Sequence, residues 1–235
     1  VKALLLDLDD TILDYSGRAE TCWTESCTAV AEPAGVDPNA LDQALVEARR
    51  WFWSDPERHR LERTDMVGAW AKIAGLGLQR LGMPADGLAR AIAEDFAARR
   101  CAAERLFPEA LATLEWMRAR RVPLGLVTNG DARLQRDKIA RHDLQRFFDV
   151  VVIEGEFGCG KPDQRVFRHA LQTLGVAAPG AWMVGDRLDW DVEGAQKIGL
   201  GGIWIDRARA GLPADSCCRP DHIVHALAEL RDLAR

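Results

Sequence analysis

The run Ala3-Leu4-Leu5-Leu6 offers no polar position to solvent and stops at Asp7-Leu8-Asp9-Asp10-Thr11. A strand with one wet face alternates apolar and polar residues. An unbroken apolar run therefore reads as a strand covered on both faces, the condition of a central strand in a parallel sheet. Open parallel sheets bind ligands beyond the carboxyl ends of their strands, so acidic residues placed there mark a candidate site. Residues two apart on a strand point the same way, which lets Asp7 and Asp9 aim at one molecule.

The rest of the chain divides by texture. Residues 16–103 carry apolar positions at helical spacing: Trp23, Cys27 and Val30; Leu41, Leu45 and Phe52; Met66, Trp70 and Ile73; Leu88, Ile92 and Phe96. This predicts an all-helical module of about four helices, with Asp37-Pro38 opening one of them and Asp55-Pro56 stopping it. From residue 104 strand and helix alternate. Strands are expected over 122–127, 150–153, 181–184 and, as the last, 202–205. Helices are expected over 108–120, 133–147, 164–174 and 192–198. That order predicts an α/β fold: a doubly wound, Rossmann-like parallel sheet formed by 1–15 and 104–235, with residues 16–103 inserted as a helical domain.

In such a sheet the strand ends lie along one edge. Asp7 and Asp9, Thr128-Asn129, the loop residue Lys161 and Asp186 then converge from distant parts of the sequence. Clustered aspartates repel one another unless a cation intervenes, and an all-oxygen set with few carboxylates suits Mg²⁺. A net charge of −5 argues against a nucleic-acid partner, and no apolar run is long enough to cross a membrane. The six cysteines follow no metal-binding spacing. Together with an N-terminus that opens directly on a strand, without a signal peptide, they predict a cytoplasmic protein with reduced thiols.

Asp7-Leu8-Asp9-Asp10-Thr11, Thr128-Asn129-Gly130, Lys161-Pro162 and Gly185-Asp186-Arg187-Leu188-Asp189-Trp190-Asp191 resemble, in order, the four motifs of the haloacid dehalogenase-like (HAD) hydrolase superfamily. The insertion looks like that superfamily's C1-type cap. Gln135 and Lys138 after the second motif resemble the branch of N-acylneuraminate phosphatases and pyrimidine nucleotidases. The resemblance implies a Mg²⁺-dependent phosphatase acting on a small phosphorylated metabolite. Asp7 would be the nucleophile that forms an aspartyl-phosphate, and Asp9 the general acid and then base. Thr128, Asn129, Gly130 and Lys161 would hold the phosphoryl group, with Lys161 also neutralising the nucleophile. Asp7, Asp186 and the backbone carbonyl of Asp9 would bind the metal, with Asp191 and Asp189 standing behind them. Asp10 occupies a position usually given to glycine and reads as a turn residue.

Substrate selection would fall to the cap. Tyr15 and the run 54–65, with Arg58, His59, Arg60 and Arg63, are its candidates; a solvated, mixed-sign loop is the plainer reading. The alternatives are a 2-haloacid dehalogenase, a phosphomutase and a non-catalytic module that binds a phosphorylated ligand. Either a monomer or a homodimer fits.

Overall fold

A computed structural model describes residues 1–85 and 87–233. The expected core range ran to residue 235; residues 234 and 235 lie outside the described residues, as does Asp86 of the inserted range. The chain forms two compact units, Val1–Asp14 with Arg105–Arg235, and Tyr15–Glu104.

The first unit begins with β1 (Ala3–Leu6) and the short β2 (Leu13–Asp14). All four residues of β1 are at most 2% exposed. Alternate side chains enter different cores. Ala3 and Leu5 pack with Val166, Phe167 and Ala170, while Leu4 and Leu6 pack with Ala110, Leu114 and Met117. Burial on both faces, which absent alternation predicts, is what the strand has. Each buried leucine stabilises by roughly 2 kcal/mol.

The second unit is helical: α1 (Ala19–Ser26), α2 (Pro38–Ser54), α3 (Pro56–Glu62), α4 (Met66–Arg80) and α5 (Leu88–Ala103). Asp37 caps α2, accepting from Asn39 N–H at 2.9 Å with Pro38 in the first turn. Trp23 stacks on Phe96 at 3.8 Å, and Trp70 meets Phe96 edge-on at 4.9 Å. Residues 54–65 are not the loop expected of them. Pro56 favours an extended Asp55, which ends α2, and Asp55 then caps α3 by accepting from Arg58 N–H at 2.7 Å.

The chain continues in the first unit through β3 (Arg105–Leu106), α6 (Ala110–Ala119), β4 (Leu124–Thr128), α7 (Ala132–Arg141), β5 (Val150–Ile153) and the single turn α8 (Glu154–Phe157). It ends with α9 (Gln164–Leu174), β6 (Ala181–Gly185), α10 (Glu193–Gln196), β7 (Gly201–Ile205), β8 (His222–Val224) and α11 (Leu230–Leu233). Six strands form one parallel sheet in the order β5-β4-β1-β6-β7-β8. The winding reverses at β1, which puts the ligand-binding crevice of a doubly wound sheet beyond its end.

Three local expectations change. The helix expected over 133–147 stops at Arg141, because Asp143 turns left-handed at φ 49° and a separate short turn follows. The expected last strand is followed by β8, whose only buried residue is Val224 and which therefore carries no periodic signal. The two-residue strands β2 and β3 pair antiparallel, Leu13 with Leu106, and are too short to show in a pattern. Among the described residues no helix is long and apolar enough to cross a membrane.

Candidate active site

Asp7 follows β1 directly. Its N–H donates to the Val184 carbonyl of β6 at 2.9 Å, so the ladder with the neighbouring strand still holds its backbone. Asp7 is 6% exposed. Lys161 Nζ lies 2.5 Å from Oδ1, and the Thr11 hydroxyl donates to Oδ2 at 3.2 Å. Lys161 is 1% exposed and also stands 2.7 Å from Asp191 Oδ1, so one ammonium is shared by two buried carboxylates. Burial alone would lower its pKa, but Asp191 and Asp7 hold it above the ordinary lysine value.

Asp191, expected to stand behind the metal ligands, lies within the carboxylate cluster: Asp7, Asp186 and Asp191 each offer an oxygen within 4.8 Å of the others. The turn Leu188–Val192 brings it back beneath Gly185, where its Oδ2 accepts from Arg187 N–H at 3.0 Å. Burial, then the charges of Asp7, Asp191 and Asp10, push Asp186 up to about 8. Burial likewise lifts Asp7 to about 7, against the opposing charge of Lys161. Three carboxylates facing one ammonium leave an excess of negative charge in a place with little water. Hard oxygen donors with that excess fit a divalent cation of the Mg²⁺ type. Asp189 does not join them; it lies at the surface, 3.3 Å from Arg187.

Asp9 is set apart from Asp7 by different partners. Lys138 Nζ is 2.8 Å from each of its oxygens, and Gln135 Nε2 is 3.1 Å from Oδ2. Gln135 Nε2 also reaches Thr128 Oγ1 at 2.6 Å, at the end of β4. Asn129 and Lys161 exchange hydrogen bonds, which tie the β4 loop to the segment that carries the lysine. Gly130 turns the chain with φ 119°, and its N–H donates to the buried Glu154 at 2.9 Å. Asp10 has φ 58°, the left-handed conformation that explains a glycine preference at this position and that aspartate tolerates. Its carbonyl and that of Thr11 accept from Arg207, at 3.3 and 2.6 Å.

Arg58, His59, Arg60 and Tyr15 have partners within the helical unit. Arg58 donates to the carbonyls of Phe52 and Trp51 and lies 4.0 Å over the Trp51 ring, so it closes the end of α2. His59 packs 4.9 Å from Trp53, Arg60 pairs with Glu57 at 2.6 Å, and Arg63 is buried. Arg100 covers the Tyr15 ring at 3.9 Å.

A model of the haloacid dehalogenase-like hydrolase family matches residues 1–199. The phosphoserine phosphatase of Thermus thermophilus is 35% identical, over 98% of this chain and 98% of that protein. The N-acylneuraminate-9-phosphatase of Rattus norvegicus is 38% identical over 46% of this chain and 44% of its own. Among solved structures, the magnesium-bound YfnB of Bacillus subtilis matches with a TM-score of 0.78 at 20% identity, covering 99% of this chain and 97% of that one. That last likeness bears on the fold alone.

Proposed function

The chain belongs to the haloacid dehalogenase-like hydrolases, and on that premise we propose that it hydrolyses a small organic phosphate monoester with Mg²⁺, through an aspartyl-phosphate on Asp7. The observation that carries this reading is the unequal setting of two aspartates two residues apart. Asp7 is buried between Lys161 and Thr11, whereas Asp9 is held by Lys138 and Gln135. That difference supports a division of roles, with Asp7 attacking and Asp9 serving the leaving group.

Asp7 attacks phosphorus, the ester P–O bond breaks, and the departing oxygen takes a proton from Asp9. Water then attacks the phosphorus of the acyl phosphate. Asp9 takes its proton, and Asp7 is released as carboxylate with inorganic phosphate. Lys161 offsets negative charge beside the nucleophile, where low dielectric makes such charges count for more than in water. Held by Asp7, Asp186, Asp191 and the Asp9 carbonyl, Mg²⁺ would add positive charge against the phosphoryl oxygens. The named activities of the two relatives, phosphoserine and N-acylneuraminate-9-phosphate hydrolysis, support a small phosphorylated metabolite as substrate.

The test is hydrolysis of p-nitrophenyl phosphate with Mg²⁺, followed by mass spectrometry of acid-quenched protein. Turnover and a phosphoryl adduct on the peptide containing Asp7 are expected, both absent in Asp7→Asn. Turnover by Asp7→Asn overturns the reading. So does metal-independent chloride release from 2-chloropropionate by a protein inactive on phosphate esters.

A further inference from the structure

Two buried residues of α7 have no task in the chemistry above. Asp131 caps this helix, accepting from Leu134 N–H at 2.8 Å. That capping sets the helix so that Gln135 and Lys138, three residues apart on one face, point at the strand ends. They are 2% and 7% exposed. Burying a lysine ammonium is costly unless it is paired, and Lys138 Nζ meets both Asp9 oxygens at 2.8 Å. The Gln135 amide has two protons and three acceptors: Asp9 Oδ2 at 3.1 Å, Thr128 Oγ1 at 2.6 Å and the Asn129 carbonyl at 3.2 Å. It therefore couples the carboxylate after β1 to the hydroxyl at the end of β4.

Resting on the phosphatase reading, we propose that Lys138, assisted by Gln135, is the positioning residue for Asp9. It holds that carboxylate where the departing oxygen emerges, and this hold determines how basic a leaving group the protein can expel. Asp9 stands on a loop that has left the strand, and two donors on a capped helix fix its carboxylate. A phosphate ester whose alcohol leaves as a stable anion needs no proton from Asp9, whereas one with a more basic alcohol does. Loss of Lys138 must therefore fall unevenly on the two kinds of ester.

The experiment compares kcat/KM, which reports the steps up to alcohol release, for phenyl phosphate and p-nitrophenyl phosphate. These two probes have similar shapes and very different leaving groups. Lys138→Met is expected to lose about 10-fold or more on phenyl phosphate and less than about 3-fold on p-nitrophenyl phosphate. Lys138→Gln keeps a donor and is expected to fall between; it carries the test if Lys138→Met does not fold, as thermal unfolding will show. The double variant Asp9→Asn/Lys138→Met should be no slower on phenyl phosphate than Asp9→Asn alone, because Lys138 acts through Asp9. Equal losses on both esters, a rise in KM alone, or a double variant slower than Asp9→Asn would each overturn the proposal while leaving the phosphatase reading intact. Wild-type protein that hydrolyses neither ester overturns that reading, and this inference with it.

Discussion

Asn129 and Lys161, 32 residues apart, clasp each other: Lys161 N–H donates to Asn129 Oδ1 at 2.7 Å and the Asn129 amide donates to the Lys161 carbonyl at 2.8 Å. The side chain of one motif thus takes the place of a strand partner for the backbone of another. Lys161 Nζ, 2.5 Å from Asp7, is aimed by this clasp rather than by regular secondary structure.

Asn129→Ala should therefore lower activity without touching any group that reacts. Two partly buried hydrogen bonds are lost, which costs about 1–3 kcal/mol of stability. Misplacing Lys161 by a fraction of an ångström should lower kcat by about 10-fold or more. Urea denaturation and steady-state kinetics on p-nitrophenyl phosphate measure the two effects; unchanged kcat would show that Lys161 is aimed by something else.

Gly185 is held to its size by Asp191. A Cβ there would lie 2.0 Å from Asp191 Oδ2 and 2.2 Å from its Cγ, so Gly185→Ala must displace that carboxylate from Lys161 and from the acidic cluster. Wild-type protein is expected to melt several degrees higher with saturating Mg²⁺ than with chelator, since a ligand of the folded state stabilises by about 2.7 kcal/mol at 100 times its Kd. In Gly185→Ala and in Asp191→Asn that shift should shrink or vanish. Thermal unfolding with and without chelator decides it, and a full shift in both variants would remove Asp191 from the metal set.

Arg207 ties the loop after β1 to the C-terminal strands, and Glu109 holds Arg207 at 2.8 Å. Burial alone would raise the Glu109 pKa, but hydrogen bonds from Arg207 and from the Leu227 N–H outweigh it and leave Glu109 below the ordinary glutamate value. A group lowered on folding stabilises the protein above its unfolded value, and that stability is lost as pH falls through the folded one. Glu109→Gln should be less stable than wild type by about 1 kcal/mol at neutral pH, the pair being partly exposed. The gap should close only in acid. Urea midpoints from pH 7 down to pH 3 test the sign; a gap that widens in acid would reverse it.

Asp7, Asp9, Lys161 and Asp186 were legible because each follows an apolar run or sits in a short local pattern at a strand end. The place of Asp10 in a turn was legible as well; its left-handed φ of 58° came from the structure. The nearness of Asp191 to Asp7 and Asp186 was not legible, because it depends on a turn that folds back beneath Gly185. The run 54–65 was read by its charge, yet its conformation follows from Asp55-Pro56, which both ends one helix and starts the next. The bonds of Arg58 to the backbone of α2 were not legible, because they depend on how α3 turns back on α2.

The sequence by itself determined the α/β class, five of the six strands of the parallel sheet and the pair of aspartates at the first strand's end. Those properties are local: periodicity, capping residues and the polarity of a few consecutive positions. Only the tertiary structure decided that the Lys161 charge beside Asp7 is shared with Asp191 and that Asp9 has a lysine of its own, Lys138. Those pairs join residues separated by up to 154 positions, and a Coulomb interaction depends on distance in space, which no local pattern of residues encodes.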